Sequence, residues 1–457
     1  MIKKKNIYNI FYLFLLSHLI IWTLIPSISN VNLPLDTIEA LAWGSNLDWG
    51  FNKHPPLSAF VVEVFYQIFG NQDWVFYFLS QVFVIITFFI IFKFSSEFFK
   101  NEKLAILSVL LLEGIFFYNY TTPEFNVNVC QLPFWALSVY YSWKCINSEN
   151  SKDYILLGLV IGLGILSKYL FLYLIISLKL LFVYLINKKI KKLTFNLFIP
   201  GFVALIVILP HIFWLFENNY STITYGLQRT GGVGSFFDHI SLPIIFLIKQ
   251  LTLLIPFLLM SFFLIKKFKY NINFKDTKLV FLLFMTVVPI TLVLATSLLL
   301  GVKIRTMWMT PFYLFFGMLI IYLSKSNLFY KISSKFLTIF IFFFLLSPMT
   351  YLGISLTDNT KRTDYPGKEI ARLVQNKWDS NFNNEIKVVV GDEWFAGNLS
   401  YHLTSRPKWQ QSLKNKASKL NIYDGVVYTG NPKVLKKICP GVFGEIKPVG
   451  YCMIGAK

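Results

Sequence analysis

Charge is scarce in this chain. Asp, Glu, Lys and Arg make up 14% of its 457 residues, against 55% hydrophobic and 18% aromatic, and mean hydropathy is +0.57. A soluble enzyme is excluded, because its surface needs far more polar cover. Cysteine is sparse at four. Cys130 and Cys145 bracket one apolar run and read as core residues. Cys439 and Cys452 lie in a polar tail, and whether they pair is left open, an oxidising compartment permitting it. No repeat of about 20–50 residues is visible, which removes solenoids, and no inverted repeat stands out. The first apolar run also lacks a small-residue cleavage site. It ends Pro26-Ser27-Ile28-Ser29-Asn30, so it reads as an uncleaved first span rather than a signal peptide.

What the chain does have is long apolar runs, many of them able to cross about 30 Å of hydrocarbon. Eleven spans read near 7–29, 74–98, 104–120, 128–146, 154–170, 171–187, 195–216, 243–265, 279–300, 306–323 and 336–354. The expected fold is therefore a polytopic α-helical membrane protein, since helices satisfy their own backbone hydrogen bonds in lipid. Residues 1–354 form the expected membrane domain. Residues 355–457 are more polar. They carry strand-like runs at Ile386–Asp392 and Gly425–Gly430 and a helical pattern over Lys368–Lys377 with Ile370, Leu373 and Val374 on one face. A small extracytoplasmic α/β domain is expected there.

A net charge of +20 suggests nucleic acid until its distribution is read. With the N-terminus inside, one set of loops holds Lys3, Lys4, Lys5, Lys188, Lys189, Lys191, Lys192, Lys266, Lys267, Lys269, Lys275, Lys278 and Lys331 among others. The opposite loops before residue 355 hold Lys53, Arg229, Lys303 and Arg305. That asymmetry sets orientation and touches anionic lipid headgroups, so membrane lipids and not nucleic acid are the expected partners. It also requires Pro55–Phe69 to lie along the interface. The segment is short, carries Glu63 and Gln67, and is flanked by Trp49 and Trp74.

The polar residues then collect on one side, in loops 30–73, 121–127, 217–242 and 301–305 and in the tail. Asp36, Glu39 and Glu124 supply carboxylates for proton work. Asn126, Lys53, Arg229, Lys303 and Arg305 accompany them, with Lys168 at the end of a span. Acids opposite Arg and Lys suit an anionic substrate. The competing reading is a set of hydrated loop residues, with Lys168 merely snorkelling to the interface. His18 and His211 read as packed residues, and Trp43, Trp49 and Trp74 as interfacial anchors. Glu113 and Lys179 lie inside spans, where an unpaired charge costs about 2.5–3.5 kcal/mol, so both are expected to face the bundle interior.

The stretch DTIEALAWGSNLDWGFNKHPPL at residues 36–57 says more. It resembles the first extracytoplasmic loop of GT-C glycosyltransferases of the protein-mannosyltransferase and aminoarabinose-transferase type. Leu47-Asp48-Trp49-Gly50-Phe51 and His54-Pro55-Pro56-Leu57 carry the likeness, and counting back from His54 puts Asp36 at the family's first acid. Thr122-Pro123-Glu124 and Gly162–Tyr169 resemble later family segments. The second acid of the family pair is Thr37 here, with Glu39 two positions on. Lys53-His54 stands where some relatives carry a metal-binding acid, so no metal ligand is carried over; no cofactor is assigned, and a divalent metal is left open.

The resemblance implies an integral enzyme of the cytoplasmic (inner) membrane, with its site and C-terminal domain periplasmic. The donor would be a polyprenyl-phosphate sugar, and the acceptor a lipid or glycan of the envelope, lipid A being favoured and protein open. Asp36, Glu124 and Glu39 would be catalytic. His54, Lys53, Asn126, Lys168, Arg229, Lys303 and Arg305 would bind substrate. Two competing readings are a secondary transporter or flippase of a lipid-linked or anionic substrate, and an inactive scaffold of the same fold. Transporters generally place their sites near the midplane on broken helices, whereas these candidates gather in loops on one face.

Overall fold

The computed structural model describes residues 4–231, 235–266, 273–325, 328, 333–411 and 424–457. Lys3, Lys267, Lys269 and Lys331, residues 232–234 of the 217–242 loop, and 412–423 of the tail lie outside the described residues. The chain is a helical membrane bundle followed by a small sheet domain, as its apolar runs and polar tail require. Among the described residues six helices are long and apolar enough to cross a membrane. They are Asn6–Ser29, Asp73–Phe99, Tyr169–Asn187, Phe195–Glu217, Thr277–Leu300 and Ser334–Thr357. Two bent pairs, Asp238–Leu253 with Ile255–Leu264 and Thr306–Tyr313 with Phe316–Ser324, bring the number to eight. The other three expected spans are helical but short. Helix Glu102–Leu110 passes into 3-10 turns at Leu111–Gly114 and Phe116–Tyr118, and Leu132–Asn147 and Ser151–Ser167 have 16 and 17 residues.

The helix Asp73–Phe99 is apolar on every side and buries residues from all of them, so it sits inside the bundle, packed against Lys4–Ser29, Glu102–Leu110 and Leu132–Asn147. Pro55 and Pro56 hold the chain out of helix, and Leu57–Phe69 follows as a 13-residue helix, too short to span. Its buried residues are Ser58, Ala59, Val62 and Glu63. Glu113 does turn inward. Its Oε2 lies 3.3 Å from His18 Nδ1, with both side chains fully buried, and Asn119 Nδ2 donates to the Glu113 carbonyl at 2.7 Å. Lys179 does not face the interior. It is exposed on the outward face of Leu172–Asn187, because Leu174, Ser177, Leu178, Leu181 and Leu185 already form the packed face.

The C-terminal sheet has five strands: β1 (Val388–Val390), β2 (Lys408–Gln410), β3 (Val426–Gly430), β4 (Val442–Ile446) and β5 (Val449–Ile454), in the order β2-β1-β3-β5-β4. The first three run parallel, with β1 paired to both β2 and β3, and β5 pairs antiparallel with β3 and β4. Helix Gly367–Asp379 buries Ile370, Ala371, Val374 and Trp378. Leu373 departs from the expected face and is 43% exposed, since the i, i+4, i+8 row set by Ile370, Val374 and Trp378 leaves it at the rim. Cys439 and Cys452 are joined in a disulfide, tying the end of helix Pro432–Ile438 to β5, while Cys130 and Cys145 are free and buried. Cross-linking residues 13 apart restricts the unfolded tail by about 3 kcal/mol on the chain-entropy account. Replacing both with serine is expected to speed proteolysis of the tail in the purified full chain, and to remove any effect of reductant on it.

The sheet domain is docked on the first loop by a shared apolar cluster, in which Trp43 is buried with Ala42, Phe51, Leu399, Leu403 and Trp409 rather than anchoring at an interface, and by polar contacts. Asn46 Nδ2 donates to Trp409 O at 2.6 Å, Trp409 N donates to Ser45 Oγ at 2.9 Å, and Tyr401 Oη donates to Asp73 Oδ1 at 2.6 Å. Arg406 supplies a charged contact here, as Lys53 does with Glu393. Its guanidinium donates to Glu63 Oε2 at 2.5 Å and Leu41 O at 2.7 Å, and lies 4.2 Å from the Tyr66 ring centroid. Arg406→Ala leaves Glu63 buried without its cation, a loss of about 3–5 kcal/mol. Hydrogen exchange should then show β1 and β2 losing protection while Asp73–Phe99 keeps its own.

Candidate active site

Helix Leu35–Gly44 starts the site. Pro34 lies before it with extended backbone, and Asp36 falls in its first turn, where the helix dipole favours a carboxylate. The 121–126 loop meets this turn directly. Glu124 Oε1 accepts from the Asp36 backbone N–H at 3.0 Å, and Thr37 Oγ1 donates to Phe125 O at 3.1 Å. Thr37, where the resembled family has its second acid, is thus a buried tie between the two loops. Glu39 does not replace that acid at the Asp36–Glu124 junction. Its Oε1 accepts from Lys53 Nζ at 2.7 Å, and the same ammonium lies 3.3 Å from Glu393 of the sheet domain.

Lys168 follows helix Ser151–Ser167 in extended backbone and is 5% exposed. Its ammonium donates to Asn128 Oδ1 and lies 5.6 Å from the Trp308 ring centroid. Asn126 caps the short helix Val127–Cys130, its Oδ1 accepting from Asn128 N at 2.8 Å and Val129 N at 3.2 Å, and it also bonds Glu124. Loop 47–54 is pinned from the membrane side. His211 bonds Trp49 O at 2.6 Å through Nδ1 and the Tyr169 hydroxyl through Nε2, and Thr222 Oγ1 donates to Phe51 O. Gly50 has to be glycine: a Cβ there would come within 2.3 Å of the Trp214 ring.

Burial and charge divide the titrating groups. Burial raises Asp36 above the ordinary aspartate range, against the pull of Lys168, Lys53, Arg229 and Arg362. Burial pushes Glu124 up to about 8, helped by the charge of Asp36. Burial brings Lys168 down to about 7, with Asp36 resisting. His54 is driven down to about 3 by burial and then by Lys168, Lys53 and Arg229, so its imidazole is neutral at physiological pH. The result is two adjacent buried carboxyls, both raised by burial, with four cations opposing that rise at Asp36 and a buried ammonium lowered to about 7.

The remaining candidates are more scattered. Arg229 ends helix Ser221–Arg229, is exposed, and acts on Asp36 and His54 through its charge. Lys303 is exposed; its backbone N–H donates to Thr230 O at 3.2 Å, so the 301–305 loop adjoins the end of that helix. Arg305 precedes the 3-10 turn Thr306–Tyr313, and neither it nor Lys303 is among the main charges acting on Asp36. Sequence reasoning missed Arg362, which is among them, and Trp308. The available signal for Arg362 was the pair Lys361-Arg362 immediately after the last span, on the side otherwise poor in cations. Among the described residues no group of three or more His, Cys, Asp or Glu side chains is arranged to hold a metal ion, so no step is derived through one.

Residues 53–214 match the family model described as dolichyl-phosphate-mannose-protein mannosyltransferase. None of the curated proteins matches the chain. Among solved structures, ArnT from Cupriavidus metallidurans bound to undecaprenyl phosphate superposes with a TM-score of 0.66 at 10% identity, over 98% of each chain. The apo state of ArnT gives 0.63 at 11% identity, over 97% of this chain and 98% of that one. At these identities the likeness is one of fold. The chain therefore has an ArnT-like fold over nearly its whole length, and residues 53–214 are similar to the protein-mannosyltransferase family that the sequence motifs resemble.

Proposed function

We propose that the protein is an integral membrane glycosyltransferase that moves a sugar, with inversion, from a polyprenyl-phosphate carrier to a cell-envelope acceptor, a lipid A or other surface glycan ahead of protein. The observation that carries this reading is the junction of Asp36, Glu124 and Lys168, with Arg229 and Arg362 in electrostatic reach of Asp36. Undecaprenyl phosphate in the structurally similar ArnT supports the donor class. Residues 1–354 would hold the donor in the cytoplasmic membrane, with the N-terminus inside, and 355–457 would close the site from the periplasm.

In the reaction an acceptor hydroxyl attacks the anomeric carbon as the bond from that carbon to the phosphate oxygen breaks. The electron pair leaves on the polyprenyl phosphate, whose growing charge Lys168 and Arg229 stabilise. The acceptor proton passes to Asp36. With a phosphate acceptor no base is needed, and Asp36 orients. Incubating the purified protein with a labelled polyprenyl-phosphate sugar and extracted envelope lipids tests this reading. Label moving to a new lipid or glycan supports it. Label crossing a liposome bilayer on its original carrier, with none transferred, replaces it with the flippase reading.

A further inference from the structure

A cavity of about 330 Å³ adjoins the carboxylate junction and is lined by Glu124 alone among the candidate site residues. Glu124 forms part of its wall, and Asn30, Tyr120, Tyr351, Lys361 and Arg362 also line it. Its frame is fixed. Asn30 Nδ2 donates to Tyr77 Oη at 3.0 Å and to Tyr351 Oη at 2.9 Å, and Ser355 Oγ donates to Asn30 Oδ1 at 2.7 Å. The backbone N–H groups of Val31 and Asn32 donate to Thr363 O at 3.0 and 2.9 Å, locking the Arg362–Asp364 turn against the start of the first loop.

The two cations of this cavity differ. Lys361 is spent locally: its Nζ donates to Ser355 O at 3.0 Å and to Asp364 Oδ2 at 3.1 Å. Arg362 has no carboxylate partner among the described residues and lies 5.7 Å from the Trp394 ring centroid. It is exposed, lines the cavity, and its charge reaches Asp36. Beside it runs the last turns of helix Ser334–Thr357, whose Met349, Ile354 and Leu356 are exposed, with Ile354 also lining the cavity. An unpaired guanidinium at the end of an exposed apolar flank suits an anionic headgroup with a hydrocarbon tail.

We propose that this cavity is the acceptor subsite, and that Arg362 holds the phosphate of an amphiphilic acceptor whose tail lies along the Ser334–Thr357 helix. The proposal rests on the glycosyltransferase reading above. It separates the two substrates: the donor phosphate goes to Lys168 and Arg229, and the acceptor enters past Arg362 with its nucleophile toward Asp36 and Glu124.

The test uses the purified full chain in phosphatidylcholine nanodiscs, with phosphatidic acid as the lipid phosphate probe, glycerol 3-phosphate as the soluble one, and undecaprenyl phosphate as the donor-side control. Native mass spectrometry reads retained ligand. Arg362→Gln is expected to retain about tenfold less phosphatidic acid than wild type and to keep undecaprenyl phosphate within about twofold, with Arg362→Lys recovering part of the loss as a point charge. Glycerol 3-phosphate should bind far more weakly than the lipid. Equal retention of phosphatidic acid by Arg362→Gln and wild type overturns the proposal. So does a parallel loss of undecaprenyl phosphate, which would make this the donor pocket, and so does glycerol 3-phosphate binding as tightly as the lipid. If wild type transfers no sugar yet retains phosphatidic acid through Arg362, the glycosyltransferase reading fails and the acceptor role with it, leaving an anionic-lipid site.

Discussion

Asp36→Asn lowers sugar transfer by about 10²–10⁴-fold, the range expected when a positioned proton acceptor is removed, and changes polyprenyl-phosphate binding by about threefold or less. The asymmetry follows from geometry. Asp36 sits on the Leu35–Gly44 helix at the junction with Glu124, where burial raises its carboxyl and four cations oppose that rise. Asparagine keeps the shape and removes the carboxylate oxygen that would accept the proton. Glu124→Gln is the matched comparison. Burial holds Glu124 protonated up to about 8, so glutamine replaces one neutral hydrogen-bonding group with another and can still accept from the Asp36 N–H. Its transfer rate should fall by less than about tenfold at neutral pH, since no charge is lost. Assays in membranes with a labelled donor, at pH 6 and with protein levels matched, distinguish the two. Equal losses, or a larger loss for Glu124→Gln, would move the base to Glu124.

The second large effect is a pH dependence set by Lys168. Burial lowers its ammonium to about 7 while Asp36 opposes the shift. A group with that pKa is about nine-tenths charged at pH 6 and about one-tenth charged at pH 8. Under the proposed donor-binding role of Lys168 its charge is lost as pH rises, and polyprenyl-phosphate affinity is expected to weaken by about tenfold between pH 6 and pH 8. Ionisation of the phosphate itself runs the other way over part of that range and strengthens binding, so the difference from a variant is decisive. Lys168→Arg keeps its charge throughout and should flatten the decline. Lys168→Ala should cost about 10²-fold in transfer, the scale of losing one preorganised donor to a developing anion. Affinity measured across pH for wild type and Lys168→Arg checks this, and identical pH profiles would remove Lys168 from the phosphate site.

Apolar composition and lysine asymmetry were enough to read the helical membrane fold, and the polar tail was enough to read the sheet domain. Span count was less legible. Hydropathy finds apolar runs but not the 3-10 turns that break 102–118, nor the bends of 50° and 49° in the two paired helices. Lys179 illustrates the same limit: the insertion penalty says where a charge is costly but not which face of the helix carries it. The motif singled out Asp36, Glu124 and Lys168, and the fold brings these three together from separate segments. It gave no sign that Lys53 spans Glu39 and Glu393, because Glu393 arrives from more than 300 residues away in sequence. Arg362 was hidden for the same reason. A basic residue after a last span resembles an ordinary interfacial anchor until the turn at Arg362–Asp364 is seen docked beside the first loop.

The most direct test of the account is mass spectrometry of lipid A and total surface glycans from cells carrying wild type, a deletion, or Asp36→Asn at matched expression. The account predicts one sugar present with wild type and absent from both mutants, its mass and attachment point identifying the donor class and the acceptor. A sugar lost in the deletion but kept in Asp36→Asn would contradict the role given to Asp36. A glycan profile identical in all three would contradict the glycosyltransferase itself.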